Sequence, residues 1–358
     1  MTMLLVEIKG VTIIQRLRAV LFAAAVAVVL SSCQSNRSET LRWNVSDVDL
    51  VWPLPPDLPR IQYVGQLTSR DSLGATGGIG QALRALVLGK KETNLVKPVA
   101  LAKNSAGLLV VADPGIPTLH FFDLENNAYW RPKIKHSESL MSPVGIALSD
   151  AGKVYVADSI VGKILVFDLK GRPLMSFGEE VLVRPTGIAL NRAQDRLYVV
   201  DTINNQVSVF DTAGKHIKSF GSRGTKPGQF NYPTYITALP DGRICVSDSL
   251  NFRVQLFDKD GSILHQFGRA GNGAGTFSRP KGVAADSHGA LYIVDAAFEN
   301  VQIFKDDGSL LLAFGNPGTG PGEFTLPVDI FLDSNDTIWV ADSFNQRIVV
   351  FRLLGESP

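Results

Sequence analysis

The sequence predicts an all-β chain: a six-bladed β-propeller of four-stranded antiparallel blades, closed by an N-terminal strand. Three observations predict it. One pattern recurs six times between Pro98 and Phe351. Each copy contains short alternating apolar runs split by turn residues. The last copy lacks its fourth run, and a candidate for that run lies upstream.

Each copy opens on a proline: Pro98, Pro143, Pro185, Pro233, Pro280 or Pro327. Its second run closes on an aspartate: Asp113, Asp158, Asp201, Asp248, Asp295 or Asp342. Its third run closes on Phe122, Phe167, Phe210, Phe257, Phe304 or Phe351, nine residues after the aspartate in every copy. The aspartates follow one another at 43 to 47 residues, the period of propeller blades and kelch-like repeats. In the third copy the runs are Gly187 to Leu190, Arg196 to Val200, Val207 to Phe210 and His216 to Phe220. Asn191 with Asp195, Asn204 with Asn205, and Asp211 with Gly214 mark the turns between them. Runs this short, split by Asn, Asp and Gly, are strands of a meander. Such a meander is apolar on both faces, and a closed ring of six covers both. Residues 61–67 (I-Q-Y-V-G-Q-L) are predicted to be the outer strand of the sixth blade, joining the chain ends.

Residues 1–32 read as a secretory signal: Lys9, Arg16 and Arg18 precede the apolar stretch from Ala19 to Leu30, then Ser31, Ser32 and Cys33 follow. L-S-S-C resembles a bacterial lipobox, which implies lipidation of Cys33 and anchoring in the cell envelope. Gln34 after the cysteine further implies the outer membrane. Residues 33–60 form a tether extended by Pro53, Pro55, Pro56 and Pro59. Trp43 and Trp52 are expected to dock either on the propeller, the more ordinary arrangement, or on the bilayer interface. The insert 70–96 carries Ile79, Leu83, Leu86 and Val87 at helical spacing, either packed on one end of the disc or plugging its channel.

Cys33 and Cys245 are the two cysteines. A lipidated Cys33 leaves Cys245 unpaired, as a small core residue. Without residues 1–32, which hold three basic residues and one acidic residue, 32 basic residues face 33 acidic ones. That balance argues against a nucleic-acid partner.

The runs V-S-D-S-L-N-F-R-V-Q-L-F-D (246–258) and V-A-D-S-F-N-Q-R-I-V-V-F (340–351) resemble the NHL repeat. So do the loops F-G-R-A-G-N-G-A-G-T-F-S-R-P and F-G-N-P-G-T-G-P-G-E-F-T-L-P before the lead prolines. Copies three to six match closely. Copy two has Val161-Gly162-Lys163 in place of N-x-R. Copy one has Pro114 and Pro117 in its turn and no F-G pair. The resemblance implies a six-bladed propeller, in agreement with the count of copies.

The repeated aspartates are expected to hold the turns that follow them, and Arg253 and Arg347 to pair and pack between blades. Gly271, Gly273 and Gly275 are not a phosphate cradle, because no helix follows them. Some NHL proteins are amidating lyases with a histidine-held zinc. Here His120, His136, His216, His265 and His288 share no repeat position, and a three-His zinc site needs convergence. No cofactor is predicted, and calcium held by channel carbonyls stays open.

The expected binding face is the end of the disc that carries the lead prolines. Tyr235 and Asp329 stand there where the pattern wants a small residue, and Lys281 is close by. Arg184, Gln229, Phe230, Asn231, Tyr232 and Arg279 are expected to flank the same mouth. This mixed polar and aromatic surface suits a protein or peptide partner. The leading expectation is therefore a non-enzymatic, lipid-anchored interaction module with an envelope protein or peptide as partner. The alternatives are a metal-dependent hydrolase or lyase, for which Asp329 is the one acidic residue placed at the channel, and a glycan or small-ligand binder. Cys33→Ser is expected to move the protein from the membrane to the soluble fraction of lysed cells; continued membrane residence would contradict the lipid anchor.

Overall fold

The structure, a computed structural model, describes residues 48–73, 93–132, 140–191 and 193–355. Residues 1–32, Cys33, Trp43, His136 and the insert positions Ile79, Leu83, Leu86 and Val87 lie outside the described residues.

Six four-stranded antiparallel sheets form a propeller ring. The inner strands are Ala100–Lys103, Pro143–Leu148, Pro185–Leu190, Pro233–Ala238, Pro280–Ala285 and Pro327–Leu332. Each neighbours the next, and the sixth neighbours the first. The sixth blade consists of Pro327–Leu332, Thr337–Asp342, Arg347–Leu353 and then Ile61–Leu67, which pairs antiparallel with Arg347–Leu353. The register of Ile61–Leu67 shifts between Tyr63 and Gly65, as the outer strands of blades three, four and five also shift. The upstream segment thus copies the geometry of the strand that the last repeat lacks. Val51–Trp52 adds a short fifth strand to this sheet. Trp52 is buried, edge-on to Phe351 with centroids 5.7 Å apart and 6.0 Å from Phe314. It staples the end of the tether onto blades five and six.

The core lies between blades. In blades three to six the phenylalanine closing the third strand meets the outer strand of the preceding blade: Phe210 with Phe177 at 5.2 Å, Phe257 with Phe220 at 5.1 Å, Phe304 with Phe267 at 5.1 Å, Phe351 with Phe314 at 5.0 Å. Three of these seams gain another ring from the loop entering the blade: Phe230, Phe277 and Phe324, 5.5 to 5.8 Å from the same partners. Each fully buried Phe contributes roughly 1.5–3 kcal/mol, so the F-G and loop motifs act as a recurrent inter-blade adhesive.

The six repeated aspartates are fully buried. They hold the turn after the second strand through amides of Gly115, Ile160, Val161, Ala297 and Phe298 or the side chains of Asn204, Asn251 and Asn345. They also accept amides from the segment entering the same blade, 16 to 18 residues earlier: Val96, Lys97, Met141, Ser142, Val183, Arg184, Asn231, Ser278, Arg279 and Thr325. One carboxylate therefore fixes both the turn and the start of the inner strand. The fourth residue after the aspartate is left-handed in blades two to six: Gly162, Asn205, Phe252, Glu299 and Gln346. Blade one has Pro117 there, which cannot adopt that conformation. In its place His120 stands 3.5 Å from Asp113, with its Nδ1 3.0 Å from Tyr129 Oη. Burial opposes ionisation of Asp113, but the His120 imidazole and the Val96 and Lys97 amides outweigh it and lower the pKa.

Arg253 and Arg347 place buried guanidiniums on Asp248 and Asp342, each at 2.8 Å. Arg253 also donates to the carbonyls of Thr225, Lys226 and Gln229 and to Gln266. Arg347 repeats the set with Thr319, Gly320, Glu323 and Gln66. Gln66 thus plays in the closing strand the part that Gln266 plays in blade four. Asp248→Ala is expected to cost about 3–5 kcal/mol, because Arg253 is left as a buried uncompensated charge. Asp201→Ala loses neutral hydrogen bonds alone and is expected to cost about 1–3 kcal/mol. Urea denaturation of the two variants checks the order, and equal costs would contradict it.

Candidate functional site

Five inner strands begin at their lead prolines and the first begins two residues after Pro98, so the residues on either side of each proline ring the channel mouth. Lys97, Arg184 and Arg279 occupy the positions before Pro98, Pro185 and Pro280, and Lys281 follows Pro280. No carboxylate occupies any of these flanking positions. Lys97, Arg184 and Arg279 are exposed and Lys281 is half-buried. Burial, followed by the charges of Arg279 and Arg184, depresses the Lys281 ammonium to about 8. Tyr232, with φ of 59°, accepts a 3.0 Å bond from Arg184 Nη1. The structure thus brings Arg184, Tyr232, Arg279 and Lys281 to one rim and adds Lys97, readable from its place before Pro98.

Phe230 does not belong to that rim. It is fully buried between blades against Phe257, because the loop turns it inward. Gln229 is half-buried, and its Oε1 accepts the Lys226 amide of its own loop. Its carbonyl takes bonds from Arg253 and Gln255.

The same end of the disc carries an apolar ring that residue-by-residue reading overlooked. The second residue after the repeated aspartate is Ile160, Ile203, Leu250 or Phe344 in four blades, 48 to 69 % exposed. Met141, Val183 and Leu326, just before lead prolines, add to the ring. The signal was the fixed position after the aspartate, hidden because each residue alone looks like an ordinary turn residue.

Tyr235 and Asp329 leave the rim and enter the channel. Gly187 and Gly282, at the equivalent position of the preceding blades, explain how the inner strands approach there. A Cβ on Gly187 would lie 2.8 Å from Tyr235 Cα, and one on Gly282 would lie 2.6 Å from Asp329 Cα. The Tyr235 hydroxyl donates to the Val99 carbonyl at 3.3 Å, linking blade four to blade one across the axis. Asp329 Oδ2 accepts the Leu101 amide at 3.1 Å. Burial raises the Asp329 carboxyl to about 7, against the pull of the Leu101 and Ile330 amides. Burial, then the charge of Asp329, pushes the Tyr235 phenol well up. Both side chains retain partial accessibility to the channel void, yet they sit deep among protein atoms.

Beyond them lies a cavity of about 640 Å³ that runs to the opposite end of the disc. Its lining includes Asp286, Asp333 and Asp336 as well as Asp329, so Asp329 is not the one acidic residue at the channel. These three sit in turns between first and second strands. Asp333 takes Lys103 Nζ at 2.9 Å and Trp339 Nε1 at 3.3 Å. Asp286 accepts the amides of His288 and Ala290 and the Tyr292 hydroxyl. Asp336 accepts the Ser287 amide and hydroxyl. Among the described residues no three of His, Cys, Asp and Glu gather as an ion site. His120 is buried inside blade one, His216 and His265 lie on outer strands, and His288 caps a turn. Cys245 is buried beside Leu256 and Ile293, and burial raises its thiol strongly.

Comparison with known proteins agrees on the architecture. A family model described as a 6-bladed beta-propeller matches residues 178–238 and 284–358. A protein of unknown function from Bacteroides thetaiotaomicron superposes with a TM-score of 0.58 at 19 % identity, covering 74 % of this chain and 71 % of that one. Virginiamycin B lyase from Staphylococcus aureus gives 0.54 at 18 % identity, covering 74 % and 99 %. Hydrazine synthase of Kuenenia stuttgartiensis gives 0.53 at 14 % identity, covering 74 % and 98 %. At these identities the likeness shows the fold alone. No curated protein matches the sequence.

An acid whose folded pKa is raised contributes stability at low pH that is lost as pH rises towards the folded value. For Asp329 that window runs from 3.8 to about 7. Asp329→Asn is therefore expected to be more stable than the parent at pH 8, by about 2–4 kcal/mol, and indistinguishable from it near pH 4. Thermal unfolding across that range measures the difference; a gap that is independent of pH would refute the assignment.

Proposed function

We propose that this protein is a non-enzymatic interaction module of the NHL type, lipid-anchored through Cys33 in the bacterial envelope. It presents the proline-bearing face of its propeller to a protein partner. The observation that carries the reading is the exposed ring of Ile160, Ile203, Leu250 and Phe344 around the cationic rim of Arg184, Arg279 and Lys281. Large apolar side chains left exposed at one repeat position on one face are candidates for a binding surface, and apolar residues beside polar ones are the composition of a protein interface. The four apolar residues recur at one repeat position, so the blades present them at the same level. Their backbones are held from below by buried carboxylates, which pre-organises the surface and lowers the ordering cost of association. The common role of Arg253 and Arg347 in holding the long loops supports the NHL reading of blades four and six.

The test is cross-linking in intact cells carrying a tagged full chain. A stoichiometric protein partner is expected, with capture reduced at least tenfold by Leu250→Ser combined with Phe344→Ser. Ile217→Ser, on an exposed outer strand, is expected to retain it. Capture unaffected by the face variant, or no partner at all, would overturn the reading.

A further inference from the structure

The cavity on the far side of Tyr235 is separate from the face just described, and its chemistry is different. Tyr235 and Asp329 form its inner end, and it opens among the turns that hold Asp286, Asp333 and Asp336. Its volume of about 640 Å³ falls in the range of small-molecule sites. The walls are largely apolar, supplied by Ile146, Ile188, Ile236, Val283 and Ile330.

The charge of the lining is one-sided. Four aspartates line the cavity against a single ammonium, that of Lys103, which is engaged by Asp333, and Asp286 and Asp333 are themselves buried. Asp286, Asp333 and Asp336 are each held by hydroxyl, indole or ammonium donors of the turns. Asp329 differs: its bonds come from main-chain amides, and among the described residues no cation lies against it. A carboxylate at the end of an apolar funnel, with no countercharge among the described residues and aspartates in the turns at its entrance, favours positive guests. A concave low-dielectric site lined by one sign of charge concentrates the opposite sign. The arrangement disfavours a divalent ion, because the carboxylates do not converge.

We propose that this funnel binds a small organic cation, a primary ammonium on a compact apolar body, with the ammonium against Asp329 and the body against the isoleucine walls. The inference does not rest on the protein-binding reading, since it concerns the opposite end of the channel. Seating a cation draws the proton off Asp329, so binding is linked to its ionisation. With the carboxyl near 7, apparent affinity is expected to rise about tenfold per pH unit up to that value and then level off.

The test is calorimetric titration of the full chain with cyclohexylammonium chloride between pH 5 and pH 8.5. Cyclohexanol, cyclohexanecarboxylate and calcium chloride are titrated alongside. The ammonium is expected to bind with the stated pH profile, the other three to bind at least tenfold more weakly, and Asp329→Asn to lose at least tenfold in affinity. Asparagine keeps the acceptor for the Leu101 amide, and the pH profile of the parent stands independently if that variant folds poorly. Failure of the ammonium to bind, equal binding of the alcohol or carboxylate, preference for calcium, or a flat pH profile would each overturn the proposal.

Discussion

One interaction recurs through this molecule: a buried aspartate at the end of each second strand. It accepts amides from the chain entering its own blade and from the turn leaving the second strand. A buried carboxylate is costly unless it is fully hydrogen-bonded, so each site admits one local geometry. Because the two segments held are those that border the channel mouth, the same six carboxylates set the positions of the rim and of the apolar ring above it. The charged pairs Asp248–Arg253 and Asp342–Arg347 extend the control to the long glycine-rich loops.

Ring closure follows from the same economy of parts. The outer strand of blade six comes from Ile61–Leu67, and Gln66 receives Arg347 as Gln266 receives Arg253. Trp52 then covers the seam beside Phe314 and Phe351. The chain thus closes by reproducing repeat chemistry with a segment nearly three hundred residues away in sequence.

Two ends of one channel have acquired opposite characters. The proline end is cationic and apolar, and the other end is acidic. Tyr235 separates them by bonding from blade four to blade one. A tyrosine at a position that holds glycine in three other blades can do this because the neighbouring Gly187 lets the strand approach. The two ends thus present different side chains, apolar and basic at one and acidic turns at the other.

The sequence by itself determined the architecture. The period, the nine-residue spacing from aspartate to phenylalanine and the homeless strand at 61–67 dictate six blades and their closure, because strand alternation and turn chemistry are local. It also singled out Tyr235 and Asp329 as breaks in the pattern. Tertiary structure alone decided where side chains went. Phe230 turned inward because the seam between blades three and four offered Val207, Val209 and Phe257, and a position in the repeat does not say which way a loop residue points. The tyrosine across the axis and the acidic far mouth arise between segments brought together by the ring. Contacts of that kind have no periodicity of their own in the chain, so they become visible only when the ring is closed.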